Sequence, residues 1–181
     1  MPFMFPLPSR IVPLRPFEPI PGSPISSLAV RIGVAPETLH LRYMLRGDLA
    51  RLRVPTPKPS RQTDELWRHT CFEAFLRVAT GVAYHELNVA PSTEWALYAF
   101  ADYRRGMAPV NGAEAPKIEI ETVAGGLDVD VQLDLKVLPP SRALALAAVI
   151  EHDDGRLSYW AVKHPAAKPD FHHDDSFALE L

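Results

Sequence analysis

The feature that most limits the possible folds is a strict alternation of apolar and polar residues in "KIEIETVAGGLDVDVQLDLKV", residues 117–137. After the two glycines, the apolar positions are Leu127, Val129, Val131, Leu133 and Leu135, with Asp128, Asp130, Gln132, Asp134 and Lys136 between them. A two-residue period is typical of a half-buried strand, and a glycine pair between two such runs is typical of a hairpin turn. The segment therefore predicts a β-hairpin whose outer face is wet, and we interpret its aspartates as a solvated face rather than a calcium site.

Short strands are predicted along most of the remaining chain. Residues 39–45 alternate in the same way, whereas "LWRHTCFEAFLRV", residues 66–78, is apolar on both faces, as in the middle of a sandwich. The segment "ALALAAVIE" could be a short helix capped by Ser141. We favour a strand, because "DDG" follows as a turn and "LSYWAV" as an antiparallel partner. The order predicts an all-β fold, an antiparallel β-sandwich with at most short helices, and places any helix near residues 95–106.

The first 25 residues are rich in proline, which excludes helix and disfavours central strands. We expect an extended arm, residues 1–25, that covers a sheet edge or a neighbour, followed by one domain, residues 26–181. The arm has no basic region ahead of an apolar one, as a signal peptide would. Cys71 is the only cysteine, so no internal disulfide is possible, and a cytoplasmic location is expected.

Charge and apolar run length exclude two kinds of partner. The chain has 19 basic and 22 acidic residues and a net charge of -3, so it lacks the cationic surface that nucleic-acid binding requires. Its longest apolar runs are shorter than the roughly 18 residues of a membrane helix, so no membrane partner is expected. The sequence leaves the oligomeric state open.

Two consecutive predicted strands each carry polar residues on one parity. The first set is Trp67, His69 and Glu73, and the second is Tyr84, Glu86 and Asn88. Only "ATG" and its neighbours separate the strands, so they should pair as a hairpin and merge both sets on one sheet face. Because an unpaired buried carboxylate is very costly, we expect this face to be a concave, partly solvated groove.

Aromatic residues lie close to these polar sets in the sequence. They are Trp95 and Tyr98 in the next segment, and Trp160 with His164 on one parity of "WAVKH". Carboxylates and amides beside flat rings suit a polyhydroxylated ring, whose C–H face stacks while its hydroxyls are bound. This favours binding of a small sugar. The alternative is that the tryptophans fill the core and that Glu86 and Asn88 hold loops through backbone amides.

The C-terminal segment concentrates histidine and aspartate. The residues are His164, Asp170, His172, His173, Asp174 and Asp175. Such side chains can bind zinc or iron, but no HxxxH pair or cysteine cluster accompanies them. We favour a hydrogen-bonded loop that carries His172 or Asp170 to the rim of the groove, and expect no metal or other cofactor.

Signals for catalysis are few. Cys71 lies inside an apolar strand, which is typical of a small buried residue, and Ser92 lacks the G-x-S-x-G context of a nucleophile. Glu73 and Glu86 could form an acid and base pair of the glycosidase kind, which is kept as an alternative to non-catalytic binding.

Three blocks, "LWRHTCFEAFL", "YHELNVAPSTEWALYAFADYRRGM" and "YWAVKHPAAKPDFHHDDSF", resemble those of bacterial DOMON-like proteins, which are related to family 9 carbohydrate-binding modules. The resemblance implies a jelly-roll-like β-sandwich with a ligand pocket on one sheet. It implies that Trp67 and Glu73 are a tryptophan and acid pair of the sugar site, and that Trp160 is a second stacking tryptophan. Other relatives bind haem through methionine and histidine, so a haem-binding electron-transfer domain is an alternative, although neither Met44 nor Met107 matches such a position.

Overall fold

The computed structural model describes residues 5–181 and is built almost entirely of β-strands. The strands are β1 (Ser9–Pro16), β2 (Ile25–Ala35), β3 (Thr38–Gly47), β4 (Cys71–Val78), β5 (Tyr84–Val89), β6 (Trp95–Phe100), β7 (Ala108–Pro109), β8 (Lys117–Val123), β9 (Gly126–Asp134), β10 (Ser141–Glu151), β11 (Leu157–Ala161) and β12 (Leu179–Glu180). The helical segments within residues 5–181 are single 3₁₀ turns at Leu49–Arg51, Leu66–Arg68 and Asp174–Ser176. The predicted all-β fold is confirmed, and so is the strand preferred for residues 143–151. The prediction of a helix near residues 95–106 is wrong, because alternate residues of 95–100 pack on opposite faces of a sheet.

All strands pair antiparallel and form two layers. The first sheet has the order β1-β2-β3-β9-β8, and the second has the order β7-β6-β5-β4-β10-β11. Strand β12 pairs with the first part of β10. Strand β1 belongs to both sheets, since Ser9 to Leu14 pair with β2 while Arg15 and Pro16 pair with β11. The fold is therefore a sandwich whose layers are joined along one side by a single strand.

The main core lies between the two sheets. Apolar residues of alternate parity from β2, β3 and β9 meet those of β4, β5, β6 and β10, as the two-residue period requires. At its centre the rings of Tyr43 and Phe72 are 5.0 Å apart, and the Tyr43 hydroxyl donates to the Glu73 carbonyl oxygen at 2.8 Å. The inner face of β4 is thus fully used for packing, and its other parity, which includes Glu73, points away from the first sheet.

The outer face of the second sheet is also covered. A second apolar cluster there includes Phe75, Tyr84, Phe100 and Val149, and Phe171 of the C-terminal segment packs against it. The segment between β11 and β12 crosses this face mostly without regular structure. This explains why residues 66–78 are apolar on both parities, since both faces of β4 are buried.

The β8–β9 hairpin forms as predicted, but its outer face is not fully wet. Asp128 and Asp130 are buried, because arginines of the neighbouring strand β3 lie over them. Arg42 contacts Asp130 at 2.7 Å, and Arg46 contacts Asp128 at 2.5 Å. The alternation identified the strand, whereas the cross-strand partners that cover its aspartates come from a distant part of the chain.

The proline-rich N-terminal segment contributes β1. Leu14 is buried in the main core, and Ile11 is exposed. Residues 1–4 of the predicted arm lie outside the described residues, and the division of the chain at residue 25 remains a prediction. Within residues 5–181, no helix is both long and apolar enough to cross a membrane.

Candidate functional site

A pocket of about 360 Å³ opens on the outer face of the second sheet. We call it the acidic pocket, and it is lined by Trp67, Glu73, Glu86, Phe100, Arg104, Met107, Val149, Tyr159, Pro169, Phe171 and His172. Strands β4, β5, β6, β10 and β11 contribute to it, and the 3₁₀ turn at Leu66–Arg68, the loop after β6 and the C-terminal segment contribute the rest. The sheet therefore supplies a rigid base, and loops supply the rim.

The two carboxyl groups of the pocket come from the pairing of β4 with β5. Glu73 lies opposite Asn88, and Phe75 lies opposite Glu86. Glu73 and Glu86 are therefore diagonal neighbours on one face, close enough for their side chains to interact. The predicted hairpin is present, and its register places Glu73 on the same face as Tyr84, Glu86 and Asn88. The two polar sets merge only in part, because Trp67 and His69 precede β4 and His69 lines a different hollow.

Glu86 is held by one hydrogen bond. It is 4% exposed, and its Oε1 accepts from Asn88 Nδ2 at 2.7 Å. Burial raises the pKa of Glu86 to about 7, although the Asn88 hydrogen bond and the Arg104 charge act in the opposite direction. This group can therefore change its protonation state near neutral pH.

Glu73 is more strongly affected by its surroundings. It is 3% exposed, and among residues 5–181 its carboxyl group makes no hydrogen bond or ion pair. Burial, with the charge of Glu86 added to it, raises the pKa of Glu73 well above its usual range. The two acids thus disfavour each other's ionisation.

A chain of hydrogen bonds orients His172 above Glu86. The backbone N–H of Arg104 donates to the Tyr84 hydroxyl at 3.2 Å, and this hydroxyl lies 2.7 Å from His172 Nδ1. Burial lowers the pKa of His172 to about 4, and the Arg104 charge adds to this, so the ring is neutral. The Tyr84 hydrogen then goes to Nδ1, which places the ring hydrogen on Nε2, 3.7 Å from Glu86 Oε2. Burial also raises the pKa of Tyr84 to about 12, which keeps it a donor.

Arg104 is fixed by Asp170 at the rim. Its Nη2 donates to Asp170 Oδ1 at 3.0 Å, and the Tyr103 hydroxyl donates to Oδ2 at 2.6 Å. Burial acts to raise the pKa of Asp170, but these two hydrogen bonds and the Arg104 charge outweigh it and hold the pKa below its usual value. The carboxylate stays ionised and ties the loop after β6 to the C-terminal segment.

The structure brings together six of the ten residues that the sequence singled out. Trp67, Glu73, Glu86 and His172 line the acidic pocket, and Trp67 is only partly buried. Tyr84 and Asn88 lie behind them and hold His172 and Glu86. The prediction that a loop brings His172 or Asp170 to the groove agrees with the structure for His172, which lines the pocket, whereas Asp170 pairs with Arg104 beside it.

The other four lie elsewhere. Trp95 and Trp160 are in the core between the sheets, so the prediction that Trp160 faces the groove as a second stacking ring is wrong. The cause is parity, since the positions facing outward on β11 are Tyr159 and Ala161. His164 follows the end of β11, where parity no longer applies, and its Nε2 contacts the Arg15 carbonyl oxygen at 2.8 Å.

His69 lines a different hollow of about 670 Å³ beside the loop of residues 53–70. Its Nδ1 lies 2.7 Å from Glu151 Oε2, and Arg53 contacts Oε1 of the same carboxylate at 2.8 Å. Other charged residues here are paired too, as Arg68 is with Glu65. Although this hollow is larger, most of its charged side chains other than Lys58 are paired within the protein, whereas Glu73 is both buried and unpaired in the acidic pocket. The acidic pocket is therefore the better candidate site.

Several lining residues were not predicted as site residues. Arg104 and Met107 lie in the loop that follows β6, where no strand pattern predicts which way a side chain points. Tyr159 and Phe171 have the sequence context of ordinary apolar core residues. A left-handed backbone at Arg104, with φ of 53°, shapes this loop. The charged residues of "DYRRGM", residues 102–107, are the sequence feature that could have indicated a site residue in this loop.

No group of three or more His, Cys, Asp or Glu side chains in residues 5–181 is arranged to hold a metal ion. His173, next to His172, instead accepts from the backbone N–H of Asp175 at 3.1 Å. Cys71 is fully buried, and burial raises the pKa of its thiol well above the usual range.

No protein-family model matches this chain, and no curated protein matches it in sequence. Among solved structures, it is similar to a crystal structure from Bacteroides uniformis described as a "putative carbohydrate-binding protein". The TM-score is 0.62 and the identity 14%, over 93% of this chain and 84% of the other. At 14% identity, this similarity shows only that the two proteins share a fold.

Proposed function

We propose that this protein is a non-catalytic binding domain whose acidic pocket takes a small sugar or a sugar-containing ligand. The observation that carries the proposal is one pocket of about 360 Å³ in which two buried carboxyl groups lie with an accessible indole ring. Carboxyl oxygens accept hydrogens from sugar hydroxyls, and an aromatic face stacks on the C–H face of the ring. The fold shared with the Bacteroides uniformis protein supports this choice of ligand.

The side chains take separate roles in this proposal. Trp67 stacks on the sugar, Glu73 and Glu86 accept hydroxyl hydrogens, and the Nε2–H of His172 donates to a ligand oxygen. Asn88 and Tyr84 keep Glu86 and His172 in position. Because these supports come from β5, the geometry is held by the sheet.

We further propose a kinship with the bacterial DOMON-like proteins and family 9 carbohydrate-binding modules, and a cytoplasmic location. Trp67 and Glu73, which line the same pocket, support the tryptophan and acid pair that the resemblance implies. The burial of Trp160 in the main core does not support the second stacking tryptophan.

Isothermal titration of a panel of mono- and disaccharides tests the proposal. We expect at least one sugar to bind the wild type, and the Trp67→Ala variant to bind it about ten-fold or more weakly, since a stacking ring contributes on the order of 1.5 kcal/mol. His69→Ala is the matched control, because His69 is near Trp67 in sequence but lies outside the pocket. No binding to any sugar, or equal weakening in both variants, would overturn the proposal.

A second candidate is a glycoside-processing enzyme that uses Glu86 as the acid and Glu73 as its partner. The pKa of Glu86, raised to about 7 by burial, is suited to proton transfer near neutral pH. This candidate requires turnover of an aryl glycoside with a bell-shaped pH profile. A panel of such substrates without turnover in the wild type argues for binding alone.

Haem fits the pocket poorly. Met107 and His172 both line it, but His172 Nδ1 is engaged by Tyr84, and Nε2 is directed at Glu86. An apolar porphyrin face over the two acids would leave the Glu73 carboxyl group buried without any partner, and Glu86 with Asn88 alone.

A further inference from the structure

The Glu73 carboxyl group has no hydrogen-bond partner in the protein, which indicates what kind of group the ligand presents. Glu73 lines the acidic pocket and is only 3% exposed to solvent. Its carboxyl group makes no hydrogen bond or ion pair with any residue of the described range 5–181. Buried polar groups are almost always satisfied in native proteins. A carboxyl group left open beside a cavity is therefore expected to receive its partner from the ligand.

Glu86 has capacity left on the same side. Its Oε1 is used by Asn88, whereas Oε2 lies 3.7 Å from His172 Nε2, beyond hydrogen-bonding distance. A donor group placed between Glu73 and Oε2 of Glu86 would find acceptors on both. One multivalent donor suits this arrangement better than a hydroxyl, which has one hydrogen to give.

The cations around the pocket are already engaged. Arg104 is bound to Asp170 at 3.0 Å, and His172 is neutral because burial and the nearby Arg104 charge lower its pKa to about 4. The described residues that line the pocket thus offer two carboxyl groups, Glu73 and Glu86, against one guanidinium, that of Arg104, which Asp170 already engages. Ionising both acids would leave their charge uncompensated. The pocket is short of positive charge.

We propose that the bound ligand carries a protonated amine, so that the sugar is an amino sugar with a free amino group whose nitrogen lies between Glu73 and Glu86. This inference rests on the proposed function and adds the chemical class of the ligand. An ammonium has three donors and supplies the missing charge, and aromatic rings such as Trp67 and Phe100 favour a cation nearby.

Matched pairs of sugars test the amine directly. Isothermal titration at pH 7 compares glucosamine with glucose, and galactosamine with galactose, because each pair differs in one amino group. We expect an amino sugar to bind about ten-fold or more tightly than its neutral counterpart, as charge-assisted hydrogen bonds imply. Glu73→Gln should remove this preference, since it keeps the side-chain volume but cannot become a carboxylate when the ammonium binds.

Glu114→Gln is the control for charge alone, because Glu114 is exposed and lies outside the pocket. It should keep the preference for the amino sugar. If Glu73→Gln does not fold, Glu86→Gln takes its place, and the wild-type pairs decide without any variant.

The outcomes separate this inference from the proposed function. Neutral sugars that bind as tightly as their amino counterparts overturn the amine and leave the sugar-binding proposal standing. Amino sugars that bind equally well to Glu73→Gln also overturn it, because the carboxylate then has no part in recognition. If no sugar of either kind binds, both proposals fail together.

Discussion

At the scale of single residues, the protein tolerates two carboxyl groups where packing alone would favour apolar side chains. Phe75 of β4 and Tyr84 of β5, which point to the same side as Glu73 and Glu86, belong to an apolar cluster. Burial raises the pKa of both acids, which means that ionising them costs free energy in the folded state. This cost is acceptable where a ligand supplies the compensating interactions.

Glu86→Gln should therefore change how stability depends on pH. The folded pKa of Glu86 is raised from 4.5 to about 7, so its contribution is fully present below pH 4.5 and is lost as pH rises through 7. Relative to Glu86→Gln, the wild type should lose up to about 3 kcal/mol between pH 4.5 and 8. Urea unfolding of both proteins across this range measures the difference.

Comparing the wild type with Glu86→Gln largely removes the effect of other titrating groups on the stability difference. Burial lowers the pKa of His172 from 6.5 to about 4, so stability from this ring is lost as pH falls below 6.5, in the opposite sense. Because His172 is present in both proteins, it largely cancels in the difference. Parallel stability curves for the two proteins would contradict the role assigned to Glu86.

At the scale of strands, the β4–β5 hairpin builds the floor of the site, and β1 holds the two sheets together. β1 pairs with β2 over most of its length and with β11 at its end, and the backbone N–H of Phe17 also donates to the Tyr159 carbonyl oxygen at 2.8 Å. Tyr159 lines the acidic pocket. The N-terminal strand is thus connected to the pocket through β11.

A chain that begins at Phe17 should be less stable and prone to association. It lacks β1, so the edges of β2 and β11 become unpaired, and Leu14 no longer fills the core. We expect a lower unfolding midpoint and concentration-dependent oligomers by size-exclusion chromatography. The full-length Ile11→Ser variant is the control, because Ile11 is 61% exposed and its replacement keeps the strand. A monomeric truncated chain with the wild-type midpoint would show that β1 is dispensable.

At the scale of the whole molecule, one core joins the two sheets. Residues of both layers belong to the same buried cluster, and two of the three tryptophans, Trp95 and Trp160, lie in it. Trp67 lies instead at the pocket. The tryptophans therefore report on two different places.

Unfolding should be a single cooperative transition. In a Trp67→Phe variant, fluorescence comes from Trp95 and Trp160 alone and so reports the main core. We expect its urea transition to coincide with that of the far-ultraviolet circular dichroism, because residues of both sheets share one buried cluster and should unfold together. Separate transitions would indicate that the sheets unfold independently.

Much of the fold follows from local pattern, whereas the site follows only in part. The two-residue alternation of β9 and the double-sided apolar character of β4 each predict a strand, because a strand's side chains point alternately to opposite faces. The short link between β4 and β5 was enough to predict that Glu73 and Glu86 share a face. These are relations between residues close in sequence.

What the sequence alone determined is therefore the kind of sheet, the β4–β5 hairpin and its paired acids. The tertiary structure decided which outward faces are covered and by what: Arg104 and His172 reach the acids from loops, while Trp160 turns into the core. Loop paths and the packing of distant segments depend on the summed interactions of the folded chain. Parity places a side chain on one side of its own strand and carries no information about which side of the sheet another layer will cover.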